Sequence, residues 1–276
     1  MKLFYAFSLL SCIAIQASAQ KLPDVQSATV ATPAMVKIDG KNLEWNDFSA
    51  ENKRTGILYT VANDDKNLYL AIKASNNETI TKIMAGGISF SVNTKGKKKE
   101  TEANTITYPL IARNNTSRMG AGQQGQNRQR MGQNRQEQSQ EQRDSIAFEQ
   151  RKTQLASIKE IKVKGFSNIT DSLISIYNEY GIKAVAKMDD KKAYFCEIAV
   201  PLAQLGININ DKKEVAYQIK LNGRQGGEGV FMMRGNAGGG GFGGGGNRGG
   251  FGGGNNSSQQ DLMVATDFWG KYIIQK

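Results

Sequence analysis

Apolar and polar residues alternate with a period of two through much of the chain. In residues 214–221, Val215, Tyr217, Ile219 and Leu221 share one face, the pattern of a half-buried strand. Residues 67–74 set Leu68, Leu70 and Ile72 against Tyr69, Ala71 and Lys73, and residues 55–62 are rich in β-formers. The cluster Asn63-Asp64-Asp65-Lys66 between them suits a turn, so the pair is predicted to form a hairpin. Residues 182–188 and 192–200 repeat the arrangement around Asp189-Asp190-Lys191. Further strands are predicted at 35–38, 87–92, 105–111, 161–166 and 271–274. Only two segments read as helices. Residues 77–84 end at Gly86-Gly87. Residues 144–159 have Asp144 or Ser145 as a cap, and Ile146, Gln150, Leu155 and Ile158 form a broken apolar stripe. Many strands and few helices predict a mainly β protein, an antiparallel β-sandwich with a few short helices.

Three stretches break this pattern. Lys2, an apolar run over 3–15 and Ala17-Ser18-Ala19 read as a secretory signal peptide, residues 1–19, cut after Ala19. Cys12 inside the run admits a lipoprotein reading, and a retained N-terminal helix is the other alternative. The run is too short to span a bilayer and no later stretch qualifies, so the protein is expected to be exported and not transmembrane. The second stretch, about 118–143, is rich in Gln and Arg and nearly without aliphatic residues. It cannot bury enough apolar surface to offset chain entropy, and is expected to be disordered or a loose helix extension. The third, about 223–260, is Gly-rich: 18 of the 31 Gly lie between Gly223 and Gly254. It reads as a flexible loop. A lead segment, 20–33, then precedes one sandwich domain, 34–276, which carries both inserts. Without signal and inserts, roughly 190 residues remain, a plausible single domain.

Composition narrows the chemistry. The 276 residues contain no His, which excludes Ser-His-Asp and Cys-His catalysis, His-ligated metals and a His pH switch. Once the signal is removed Cys196 is alone. It lies in the apolar run Tyr194-Phe195-Cys196-Glu197-Ile198 and reads as a small buried hydrophobe rather than a reactive thiol. The Gly-rich stretch lacks GxxxxGK[ST] and is no phosphate loop. The acidic pairs Asp64-Asp65 and Asp189-Asp190 are explained by turns, so no paired-carboxylate hydrolase is expected. Asp39, Asp64 and Asp65 have no calcium-loop spacing. Haem would have only Met pairs such as Met232-Met233 as axial ligands. The expectation is a non-enzymatic protein with no metal and no cofactor.

Charge points to partners. The formal net charge is +11, and ten of the eleven Arg lie at Arg113 or later, most of them in or beside the inserts. Lys95, Lys97, Lys98 and Lys99 form a further basic run. Arg224, Arg234 and Arg248 stand among Gly with Phe231, Phe242 and Phe251. Arg with aromatics on such a chain can bind single-stranded nucleic acid, an anionic polysaccharide or lipid headgroups, or can self-associate. For an exported protein nucleic acid is the less fitting partner.

Three local patterns occur in order: Ile38-Asp39-Gly40 with Glu44-Trp45; Asn63-Asp64-Asp65-Lys66-Asn67-Leu68-Tyr69-Leu70; and Glu197-Ile198-Ala199-Val200-Pro201-Leu202 with Leu205-Gly206. Together they resemble the family 9 carbohydrate-binding modules and the wider group of sugar- and haem-binding sandwiches. The resemblance covers roughly 34–274, with both inserts as departures. It implies a β-sandwich and glycan binding through paired aromatics. The residues also have purely structural readings: a turn at Gly40, a hairpin at Asp64-Asp65, and a strand closed by Pro201 into a short helical turn. A glycan site needs flat aromatic faces and polar side chains for hydroxyls. Trp45, Trp269, Tyr108 and Arg224 are the expected ligand-binding residues, with Tyr59 and Tyr217 behind them. The expected function is an exported glycan-binding module. The alternative is a structural or matrix protein whose basic inserts bind anionic polymers or self-associate.

Overall fold

The computed structural model describes residues 21–45, 47–111, 139–224 and 261–276. The predicted signal peptide, residues 118–138 of the first insert and residues 225–260 of the second lie outside the described residues. Twelve strands form two six-stranded sheets, as the period-two pattern predicts.

The first sheet contains β1 (Val30–Ala31), β2 (Ala50–Asn52), β3 (Ile57–Asn63), β4 (Asn67–Ala74), β9 (Lys183–Met188) and β10 (Tyr194–Pro201). Its order is β1-β3-β4-β10-β9, with β2 also on β3. The second contains β5 (Ile88–Asn93), β6 (Asn104–Tyr108), β7 (Glu160–Lys164), β8 (Leu173–Ser175), β11 (Glu214–Leu221) and β12 (Thr266–Ile273). Its order is β12-β11-β5-β6-β7-β8. Every pairing is antiparallel except β1 with β3, which is parallel.

Strand alternation builds the core between the sheets. Leu68, Leu70 and Ile72 of β4, Cys196, Ile198 and Val200 of β10, and Val215, Tyr217, Ile219 and Leu221 of β11 all belong to one buried cluster. Tyr59 and Tyr217 meet across it, their hydroxyls 3.0 Å apart, and the Tyr59 hydroxyl also accepts from the backbone N–H of Gln26 at 2.8 Å. Two buried phenols are thereby satisfied without water. Cys196 lies in the same core, and burial pushes its thiol up to about 12. It behaves as the small hydrophobe expected.

The helices fall near their predicted places. α1 (Asn77–Gly86) starts at Asn76, whose side chain accepts from the amides of Glu78 and Thr79, and stops at Gly87, at φ +75°. α2 (Gln140–Ala156) begins earlier than expected. Its cap is Ser139 rather than Asp144 or Ser145, and Ser139 with Gln142 forms a reciprocal capping box. Residues 139–143, assigned by composition to the insert, therefore belong to the helix.

Residues 35–38 are not a strand. They open a strap that runs over the outer face of the first sheet. Trp45 packs there on Ala62, Tyr69, Ala71, Phe195 and Ala199, with Val36, Ile38 and Phe48 beside it, forming a second, smaller core. Apolar residues on both faces of β4 and β10 produced this outcome: a sheet with two apolar faces needs a cover on each.

Candidate functional site

The four expected ligand-binding residues are not brought together. Trp45 is 3% exposed, lies under the strap, and donates from Nε1 to Glu197 Oε1 at 2.9 Å. Tyr108 is 3% exposed and points into the core between the sheets. Neither ring offers a face to a sugar, and the expectation of stacking at Trp45 and Tyr108 is corrected on that ground. Tyr59 and Tyr217 are buried in the same way. Trp269 is half-buried on the outer face of β12, and Arg224 is exposed just beyond β11.

The three patterns that carry the family resemblance do converge. Glu197, 1% exposed, stands on the outer face of β10 beneath the strap. Its Oε2 accepts from the backbone N–H groups of Asp39 at 3.1 Å and Gly40 at 2.8 Å, and its Oε1 accepts from Trp45. Gly40 has φ +75°, which any other L residue would adopt at a cost. Burial pushes the Glu197 carboxyl up, and three donors partly offset it. Tyr69, from the second pattern, lies 6.3 Å from Trp45 ring to ring and donates to Asp64 Oδ2 at 2.6 Å. The trio is a clasp that fastens the strap to the sheet.

The outer face of the second sheet has a different character. Sheet register aligns Trp269, Gln218, Ser91, Thr105 and Lys164 in one row across five strands. The next row is Asp267, Lys220, Ser89, Thr107 and Lys162. Four strand spacings make each row roughly 19 Å long. Within the rows the hydroxyls pair: Ser91 with Thr105 at 2.8 Å and Ser89 with Thr107 at 2.8 Å. Asn222 Nδ2 reaches Ser89 Oγ at 3.0 Å. Gln218 donates to Asp267 Oδ2 at 2.6 Å, while its own buried Oε1 has no hydrogen-bond partner among the described residues.

Lysines frame these rows. Lys220 pairs with Glu100, whereas Lys162 and Lys164 form no ion pair among the described residues. A recess of about 210 Å³ opens between Ser89, Thr105, Thr107, Lys162, Lys220 and Asn222. Ser89, Ser91, Thr105, Gln218 and Asn222 are themselves buried, so what the face offers outward is the Thr107 hydroxyl, the lysine ammonium groups and half-buried Trp269. That set can exchange hydrogen bonds with a polyol and neutralise carboxylate or sulfate substituents. The signal for it was present in the sequence. Within predicted strands 87–92 and 105–111, Ser89 and Ser91 and then Thr105 and Thr107 share the outward face, two consecutive hydroxyl positions on each.

Arg224 stands at one end of this sheet. Tyr108, Ile88, Leu221 and Thr266 are in register there, so the chain leaves β6 and β11 at the same end. Gly223, at φ +65°, lets Arg224 turn back and donate its backbone N–H to the Leu262 carbonyl at 2.6 Å. A larger recess, about 1030 Å³, flanks the strap on the first sheet and touches Ile38, Lys66, Tyr69, Lys183, Pro201 and Ile207. Its one aromatic ring, Tyr69, is 6% exposed, and its hydroxyl is engaged by Asp64. Among the described residues no group of three or more His, Cys, Asp or Glu side chains is placed to hold a metal, and no helix is long and apolar enough to cross a membrane. The chain matches no family model and no curated protein.

Proposed function

We propose that this protein is an exported, non-enzymatic binding module for polysaccharide or cell-surface glycan, and that acidic glycans are its preferred ligands. The observation that carries the reading is the pair of registered rows on the second sheet, with hydroxyls and amides between Trp269 and the lysines Lys162 and Lys164. The buried Ser and Thr pairs hold the strands in place, Thr107 and half-buried Trp269 suit a sugar, and two exposed lysines without an ion pair among the described residues favour an anionic chain. Trp269 is the single expected aromatic that keeps part of its surface open, so it is the stacking residue of this proposal.

A second reading draws on the common exit of the chain from β6 and β11. In it the sandwich is a scaffold, and the basic stretches 118–138 and 225–260 bind anionic polymers or self-associate. Affinity electrophoresis through gels holding neutral or acidic polysaccharide, at low and high salt, separates the two. The first reading expects retardation that Trp269→Ala or the pair Lys162→Glu, Lys164→Glu weakens about tenfold, with deletion of residues 235–256 doing little. Loss on that deletion, with the face variants behaving as the parent, would favour the scaffold. Unchanged thermal melts must accompany each variant.

A further inference from the structure

α2 lies along the free edge of β9, the last strand of the first sheet. Covering an edge with a helix is a common protection against strand pairing between molecules. Here the cover leaves a gap. The inward residues of β9 are Ala184, Ala186 and Met188. Two alanines where β4 and β10 carry Leu, Ile and Val remove the side chains that would fill the space. The result is a cavity of about 370 Å³, open to solvent and floored by Leu155, Ile158, Ala184, Ala186 and Met188. Protein interiors are close-packed, and a cavity of this volume lies in the range of small-molecule sites. The Tyr108 hydroxyl meets the Ala186 amide at this wall.

The rim is charged in one sign only. Lys152 and Lys159 border the opening, both exposed, and among the described residues no Asp or Glu lines it; the Lys187 side chain lies on the other face of the sheet, against Gly40. Lys152 is 3.4 Å from Glu149 on its own helix, an exposed pair of small energy that a ligand can displace. Lys159 has no ion pair among the described residues. Tyr177, 83% exposed, stands at the same mouth.

We infer that this cavity binds an amphipathic monoanion, a hydrocarbon chain or ring system ending in a carboxylate, with the apolar part between α2 and β9 and the head group between Lys152 and Lys159. The apolar floor supplies burial, and the rim supplies sign selectivity. The site is separate from the polar face of the second sheet and does not depend on glycan binding there.

The test is titration calorimetry of the purified protein with dodecanoate, dodecanol and dodecyltrimethylammonium, each below its micellisation concentration. Saturable binding of dodecanoate at one site is expected, with the alcohol about tenfold weaker and the cation undetected. The double variant Lys152→Glu, Lys159→Glu changes exposed rim residues only, and is expected to weaken dodecanoate at least tenfold with an unchanged melt. Ala156→Phe, on the α2 side of the opening, is expected to block both dodecanoate and dodecanol. Equal affinity for the three head groups, no saturable binding of dodecanoate, or binding indifferent to both the charge variant and the plug would each overturn the inference.

Discussion

Glu197 is the residue that ties distant parts of this molecule together. Its carboxylate serves three donors from residues 39–45 and none of them can be met by an amide nitrogen. Glu197→Gln turns one oxygen into an N–H₂ that faces a donor. The expected loss is about 1–3 kcal/mol, read by urea unfolding at neutral pH. Trp45→Ala is expected to loosen the strap rather than remove a stacking ring. Asp64 behaves oppositely to Glu197. Its burial acts to raise its pKa, but the Tyr69 hydroxyl, the amides of Asn67 and Lys66, and the Lys66 charge outweigh it and hold the carboxyl below its ordinary 3.8. A depressed carboxyl stabilises the fold above its unfolded pKa, and that contribution is lost as pH falls through the folded value. Asp64→Asn should therefore be less stable than the parent at pH 7, with the difference closing as pH falls below 3.8 and through the lower folded value in urea titrations. Sequence patterns pointed to Asp64 and Trp45 as notable. They did not reveal that Trp45 is buried, because its cover comes from Glu197, 152 residues away.

Long, regular elements could be read from the chain, and short ones could not. β3, β4, β5, β9, β10 and β11 fall within a few residues of their predicted spans, since each runs to six or more residues rich in β-formers or alternating in polarity. β1, β2 and β8 have only two or three residues, too few for a period to register. β12 begins at Thr266, five residues before the predicted start, because Gly270 interrupts its apolar face. That glycine is required by packing. A Cβ there would lie 2.2 Å from Cζ of Tyr217 and 2.3 Å from its hydroxyl. Gly270→Ala would force the ring aside and break its contact with Tyr59. A loss of about 1–3 kcal/mol is expected from such overpacking, measured as a lower melting midpoint by circular dichroism. The hydroxyl rows on the outer face of β5 and β6 were legible as alternation. Their continuation into Gln218 and Trp269 on one side and Lys164 on the other was not, because sheet order is set by pairing between strands far apart in sequence.

At the scale of the whole molecule, the two faces of the sandwich have divided tasks. The first sheet hides its outer side beneath the strap, and the second has a polar outer side whose rows expose Lys162 and Lys164. The division follows from composition: β4 and β10 are apolar on both sides, β5 and β6 on one. The strap has a consequence in time as well as in space. A chain that emerges N-terminus first presents Asp39, Gly40 and Trp45 long before Glu197 exists to receive them. The last strand also holds the first ones: Thr29 donates to the Ile273 carbonyl, and Tyr272 and the Gln275 amide both donate to Asn63. Contacts so remote in sequence make folding slow, since loop closure precedes its reward. The nascent molecule must therefore wait, with its strap unfastened and a sheet of Leu, Ile and Val uncovered, until its final residues arrive. Throughout that interval it is a client for any factor that shields bare apolar strands.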